Sequence, residues 1–344
     1  MTTENLSFFT DRNYNCGKYR EFDGARLYNI VGPDLAEKGK TLLNIAEIFS
    51  EMECQFYYSP YERKLPCAIY IPKLKIVAAS SYNKYSADSF KSRTYDISRI
   101  LGEKSSAVEA IAGYTMNQSI SYMQKSLDML GIADILLKEY IKNGRELVNA
   151  DKITAYARRR IAAVLEKREG KGRIIRRSIS AITCGGYHFA DIPNDTRIIR
   201  LFDRYIAASS IFAESAASAA NKLGYDAVIS RAADSENAPL HLYIPQGKLL
   251  FVSETPVLPE RFTDSRRISM ERFYNRNLLA SREHDKEFFG EYIKRLYNES
   301  ALYARICMDI KSQGRKLLMP FVSEKSASGI AAEIVNDILG ECSR

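Results

Sequence analysis

The chain has 344 residues, of which 46% are hydrophobic and 27% charged, with a net charge of +8 and a pI of about 9.0. Such a composition excludes a disordered chain, and the length suggests two domains of ordinary size. There is no apolar run of about 20 residues and the N-terminus MTTENLSFFTDRN lacks the basic start and apolar core of a secretory signal, so neither a membrane span nor export is expected, and the location expected is cytoplasmic.

In chain order, the first elements are a glycine-containing turn at Cys16-Gly17-Lys18-Tyr19, a short apolar strand over 26–31, and a helix whose apolar positions include Leu42, Leu43, Ile45, Ala46 and Phe49. A strand follows at 54–58, then a loop, then the segment Leu65–Ser80, which carries Tyr70-Ile71-Pro72 and ends in an apolar strand. The charged stretch 107–168 reads as one long helix, far beyond an ordinary crossover. After the basic segment 158–177 the pattern starts again. A turn at Cys184-Gly185-Gly186-Tyr187 precedes a strand over 197–202 and an alanine-rich helix over 206–222, closed by Leu223-Gly224. A strand at 226–230, the segment Ala238–Ser253 with Tyr243-Ile244-Pro245, and a second charged helix over about 284–313 complete the chain.

The second half can be laid over the first. Segments 65–80 and 238–253 share six identical positions, among them Tyr-Ile-Pro, the lysine pair Lys75 and Lys248, and the terminal serines Ser80 and Ser253, at an offset of 173. The offset is 171 between the strands starting at Arg26 and Arg197, and 168 between the turns at Cys16 and Cys184. It grows steadily, as small loop insertions in one copy would make it. The expectation is two tandem repeats, 1–178 and 179–344, each an α/β unit with a parallel sheet and a long helical extension. A sheet of that kind places ligands at the carboxyl ends of its strands.

The turn after the first strand reads Val31-Gly32-Pro33-Asp34-Leu35-Ala36-Glu37-Lys38-Gly39-Lys40-Thr41. Strand, Gly-Lys-Thr and helix are the letters of a phosphate-binding P-loop, in which glycines let backbone N–H groups wrap the phosphates, the lysine meets the β/γ-phosphates and a hydroxyl holds magnesium. The candidate ligand residues are therefore Gly32, Gly39, Lys40 and Thr41, with ATP and magnesium as the candidate cofactors. Six residues separate Gly32 from Gly39, where the motif requires four.

With those loops, the Gly172-Arg173…Ser178-Ile179-Ser180-Ala181-Ile182-Thr183 stretch and the strands around Ile71-Pro72 and Ile244-Pro245, the chain resembles the bacterial tandem P-loop ATPase-like proteins, which carry two P-loop NTPase units in one chain. The resemblance covers nearly the whole length and implies a tandem, duplicated P-loop NTPase-like fold. Two registers are open for the first loop. Without gaps, Asp34 and Ala36 replace glycines, Glu37 the lysine and Lys38 the serine; with a two-residue insertion, Lys40 and Thr41 keep their roles. In the second loop, Asp203-Arg204-Tyr205-Ile206-Ala207-Ala208-Ser209-Ser210, there is no glycine, so helix is expected to extend through it. Ser80 and Ser253 stand where the resemblance implies the magnesium-associated acid of Walker B, and Glu254, one residue along, faces the other way.

These departures lead to a P-loop NTPase-like protein with reduced or lost hydrolysis that acts as a regulatory or scaffold module, its long helices available to a protein partner. The alternatives are an active ATPase using the first loop, and a basic nucleic-acid-associated protein using segment 158–177. Six dispersed cysteines without a CxxC pair read as reduced thiols, and the three histidines, His188, His241 and His284, are too far apart in sequence to suggest zinc. Cys184 beside His188 has the letters of a nucleophile pair, but Cys16 in the matching turn has no histidine near it. The 22 tyrosines are scattered, which favours packing over base stacking.

Overall fold

A computed structural model describes residues 24–33, 35–59, 61–62, 64–80, 92–103, 105–176, 178–190, 192–231, 239–258, 260–281, 283–323 and 326–342. The Cys16–Tyr19 turn and Asp34 lie outside them. Two compact units result, and they do not follow the repeat boundary. Unit 1 joins the residues up to Ser126 with those from Leu302 onward; unit 2 is Leu127–Ala301.

In unit 1, β1 (Arg26–Val31), α1 (Ala36–Ile48), β2 (Gln55–Tyr58), β3 (Pro66–Ile71), β4 (Ile76–Ser80) and β5 (Ser92–Asp96) form a sheet of order β2-β3-β4-β1-β5. The central strand β1 pairs in parallel with β4 and with β5. The sheet is nevertheless mixed, not parallel as expected, because β3 runs antiparallel to both β2 and β4. Only residues 72–75 join β3 to β4, too few for the crossover that parallel pairing needs. A short 3₁₀ turn, Ile97–Ile100, leads from β5 towards α2 (Ser106–Arg145).

Unit 2 repeats the plan. Following α3 (Ala150–Ala162), β6 (Ile174–Arg176) and the hairpin of β7 (Ser180–Thr183) and β8 (Gly186–Phe189), it contains β9 (Arg197–Phe202), α4 (Ala207–Lys222), β10 (Ala227–Arg231), β11 (Pro239–Ile244), β12 (Leu249–Glu254) and β13 (Arg266–Ser269). Their order is β13-β9-β12-β11-β10-β6, the unit 1 order with β6 added at one edge, and β11 is again the antiparallel strand. The ladders agree residue for residue. Gln55 faces Tyr70 as Val228 faces Tyr243, and the bulge between Tyr57 and Tyr58 recurs between Ser230 and Arg231.

The shared Tyr-Ile-Pro…Lys segment has a local explanation. Lys75 and Lys248 both adopt a left-handed backbone, at φ 53° and 46°, closing turns in which their N–H groups donate to Pro72 O and Pro245 O. Their own carbonyls then accept from Arg26 N and Arg197 N, which sets the start of each central strand at 2.8 Å in both copies. The shared serines also match, since Ser80 Oγ donates to Cys67 O and Ser253 Oγ to Leu240 O across the antiparallel ladder.

The first long helix is shorter than the sequence pattern implies, and the second is slightly longer. The stretch expected as one helix over 107–168 breaks after Arg145, and α3 restarts with the Asn149 side chain accepting from Lys152 N. A strand-like bridge between Val148 and Tyr274 occupies the interruption, a tertiary pairing that helical periodicity does not encode. The expected helix over 284–313 is α6 (Glu283–Leu318), preceded by a short α5 (Arg276–Ser281) and followed by α7 (Ser326–Cys342). The boundaries of the units fall within α2 and α6.

Each sheet carries a helix of its own repeat, α1 or α4, and a second helix from the other repeat packs beside it. In unit 2, α3 of the first repeat lies against α4, with Ile153, Ala157 and Ile161 buried in one core with Phe212, Ala213, Ala216 and Ala217. In unit 1, α7 of the second repeat lies against α1, with Ile330, Ala331, Ile334, Val335 and Ile338 in one core with Leu42, Ile45 and Ala46. Fully buried Tyr28, Tyr57, Tyr140 and Tyr205 show much of the tyrosine complement at work in packing.

Candidate functional site

In each unit the central strand β1 or β9 has parallel neighbours on both sides, and its carboxyl end turns directly into α1 or α4. This is where an α/β sheet presents a helix N-terminus to a ligand. Free N–H groups at such a terminus attract negative charge.

In unit 1, Gly32 takes φ 111°, and a Cβ there would lie 2.8 Å from Asp96 Oδ1. Helix α1 begins at Ala36 with Leu35 as a cap that supplies no side-chain bond. Gly39, Lys40 and Thr41 consequently lie inside the helix and do not converge. Gly39 packs against Leu65, whose Cβ would be 2.5 Å from any Cβ at 39. Lys40 points to solvent and pairs with Glu37 at 3.1 Å. Thr41 is fully buried and donates 2.8 Å back to Glu37 O, one turn earlier, with a second contact to Ala327 O in α7. The lysine that reaches Gly32 is Lys38, buried with its Nζ donating 2.8 Å to Gly32 O. Lys38 thus satisfies the carbonyl of the turn from within.

In unit 2, helix does not extend through the loop as expected. Residues 204–206 turn sharply, and Ile206 precedes α4 in a left-handed conformation at φ 65°. A β-branched residue there is a true outlier. What holds it is Asp203, whose carboxylate is fully buried at the end of β9. One oxygen accepts from Ser209 N at 2.6 Å, the other from Tyr205 N at 3.2 Å and from Tyr274 Oη at 2.5 Å. Tyr274 Oη in turn accepts from Ala208 N at 3.3 Å. The first N–H groups of α4 thus already have an anion, supplied by the chain. Burial pushes the Asp203 carboxyl above its ordinary range, against the pull of these donors, and burial pushes the Tyr274 hydroxyl up as well, with the neighbouring carboxylate adding to it.

At Ser80 and Ser253, both hydroxyls are engaged in strand-to-strand bonds, as described above. Glu254 turns to the opposite face of the sheet, where it is buried and paired with Arg200 at 3.3 Å and Arg267 at 2.9 Å. That face is covered by the β7–β8 hairpin and the loop after β12. Tyr187 Oη lies 2.8 Å from His241 Nε2, Arg261 donates to Tyr187 O, and Arg200 donates to Thr263 O. Burial holds the His241 ring down to about 3, neutral at ordinary pH. This network, invisible to motif reading, left one sequence trace, since His241 stands among apolar residues where the first repeat has Ala68.

The basic segment divides by role. Arg173 pairs with Asp226 at 2.9 Å and Arg168 lies over the Tyr225 ring at 5.2 Å, and both are exposed, as are Arg158, Arg159, Lys167, Lys171 and Arg176. Among the described residues, no helix is long and apolar enough to cross a membrane, and no group of three or more His, Cys, Asp or Glu could hold a metal ion.

Fold and turns together define a mixed α/β protein, built of two repeats that exchange their helical ends. Comparison with family models, with curated proteins and with solved structures finds no match for the chain.

Proposed function

We propose that the protein is a P-loop NTPase-like scaffold or regulatory binding module that does not hydrolyse nucleotide. The observation that carries this reading is the Asp203 carboxylate, seated on the N–H groups of Ser209 and Tyr205 where a phosphate would need to bind. A second anion at that point would face it at contact distance, and like charges in a buried site repel strongly. In the first repeat, Lys40 on the helix surface and Thr41 bonded to Glu37 O support the same reading. In such a module, the exposed flanks of α2 and α6 serve as the protein-binding surface.

Titration of the full-length protein with ATP and magnesium by calorimetry tests this. The expected result is no saturable binding up to about millimolar nucleotide, a weak limit of roughly −4 kcal/mol. Micromolar affinity that disappears in Lys40→Ala would replace the proposal with an active ATPase centred on Gly32, Gly39, Lys40 and Thr41. A second reading, nucleic-acid association, draws on the exposed cations between Arg158 and Arg176. Its signature is retention on DNA or RNA that falls steeply with salt.

A further inference from the structure

The exchange of helices is reciprocal down to single hydrogen bonds. In unit 1, Gly102 N donates to Phe321 O and Ser323 N to Ile100 O; in unit 2, Asn275 N donates to Leu147 O and Asn149 N to Phe273 O. Positions 100 and 102 match 273 and 275 at the offset of 173, and positions 147 and 149 match 321 and 323 at 174. The strand-like bridges Leu101–Val322 and Val148–Tyr274 are the same pair seen twice. So are the polar contacts on the covering helices, Asn44 Nδ2 to Ser328 Oγ at 3.4 Å and Ser215 Oγ to Thr154 Oγ1 at 3.1 Å. In every case one partner comes from each repeat.

The surface that receives α7 has its own chemistry. Apolar residues of α7 enter the core, while Glu333, Asp337 and Glu341, spaced one turn apart along the same helix, meet a cationic rim on the 3₁₀ turn, β5 and β1. Arg99 pairs with Glu333, Arg93 with Asp337 at 2.8 Å and with Glu341 at 2.7 Å, and Arg26 with Glu341. Tyr95 Oη donates to Asp337 at 2.5 Å.

We infer that the α/β core of each repeat is a receptor for the helical tail of the other, so that the two halves of the chain are obligate partners whose association does not depend on the link between them. By the same chemistry, a chain carrying a single repeat would pair with a second copy of itself, as domain-swapped dimers do. Each core has one helix of its own repeat, α1 or α4, and takes a second from the other repeat through the matched backbone and polar bonds above.

The test uses the full-length protein with a specific protease site inserted between Glu169 and Gly170, where the chain is exposed and a Cβ at Gly170 would meet nothing within 4 Å. Cleavage after folding should leave fragments 1–169 and 170–344 eluting together at the mass of the uncut chain, unfolding in one transition, and separating only in denaturant. Fragments that separate in native buffer, each keeping its circular dichroism, would overturn the inference. Charge reversal adds a directional check. Arg99→Glu on one fragment or Glu333→Arg on the other should weaken association by about two- to fivefold, read as a lower urea concentration for separation, as expected for a half-exposed pair. The two reversals together should restore it; no recovery would remove this rim from the receptor.

Discussion

Replacing Asp203 by asparagine keeps the shape of the side chain and removes its charge. In the native protein, two N–H groups and the Tyr274 hydroxyl converge on the carboxylate, and the residue is fully buried. Asparagine can still accept at one oxygen, but its NH₂ faces the Ser209 N–H, donor against donor. One buried donor left without a partner costs about 1–3 kcal/mol, and this sets the expected loss for Asp203→Asn. Alanine, which strands all three donors, should cost about 3–5 kcal/mol, the range for breaking a buried charged network. The assay is urea unfolding followed by circular dichroism, with midpoints compared at constant slope. The pH dependence gives a sharper check. Burial raises the folded carboxyl above its unfolded value near 3.9. A group raised in this way favours folding most where it is protonated in both states, at low pH, and that contribution is lost as pH rises through the folded value. The stability difference between wild type and Asp203→Asn should therefore move against the wild type as pH rises from about 4. A difference that is flat, or that moves towards the wild type, would mean that the three donors outweigh burial, and the electrostatic account of this turn would be refuted.

Substitutions at two further positions probe the parts of the fold that both repeats share and the part that only one has. Lys75 is exposed and left-handed, so Lys75→Gly should be neutral to about 1 kcal/mol stabilising, while Lys75→Val should cost about 1–3 kcal/mol, both read by thermal unfolding. Equal effects of glycine and valine would show that the turn relaxes when the lysine is lost. Glu254→Gln leaves Arg200, buried, without its carboxylate, and should cost about 3 kcal/mol, the low end for such pairs because Arg267 is half-exposed. An unchanged urea midpoint would make the Glu254 pairs surface-like in energy.

The sequence carried the local parts of this fold well. The strands at 26–31 and 197–202, the alanine-rich helix ending at Leu223-Gly224, and the repeat itself follow from periodicity, turn residues and order along the chain. Left-handed Gly224, at φ 88°, supplies the helix stop that its type announced. The antiparallel course of β3 and β11 is also written locally, in the four-residue turns 72–75 and 245–248, which are too short for a crossover. Other features were not legible, for physical reasons. Asp203 reads as one more polar residue in a loop without glycine, and only tertiary structure brings Tyr274, 71 positions away, onto its oxygen. Gly39 reads as part of a phosphate loop, and only the approach of Leu65 shows it as a packing contact.

The exchange of helices changes what the duplication means for function. In two independent copies, loss of a phosphate loop in one would leave the other free to keep its chemistry, and each copy could drift alone. Here, the helix that covers α1 belongs to the second repeat, and Thr41, at the position read as a magnesium ligand, also bonds the backbone of that helix at Ala327. The corresponding helix in unit 2, α4, is covered by α3 of the first repeat and has its first turn fixed by Asp203. Each strand–helix turn is thus bound up with a helix from the other half of the sequence. A change that reshaped either turn to admit a nucleotide would disturb packing supplied by the opposite repeat.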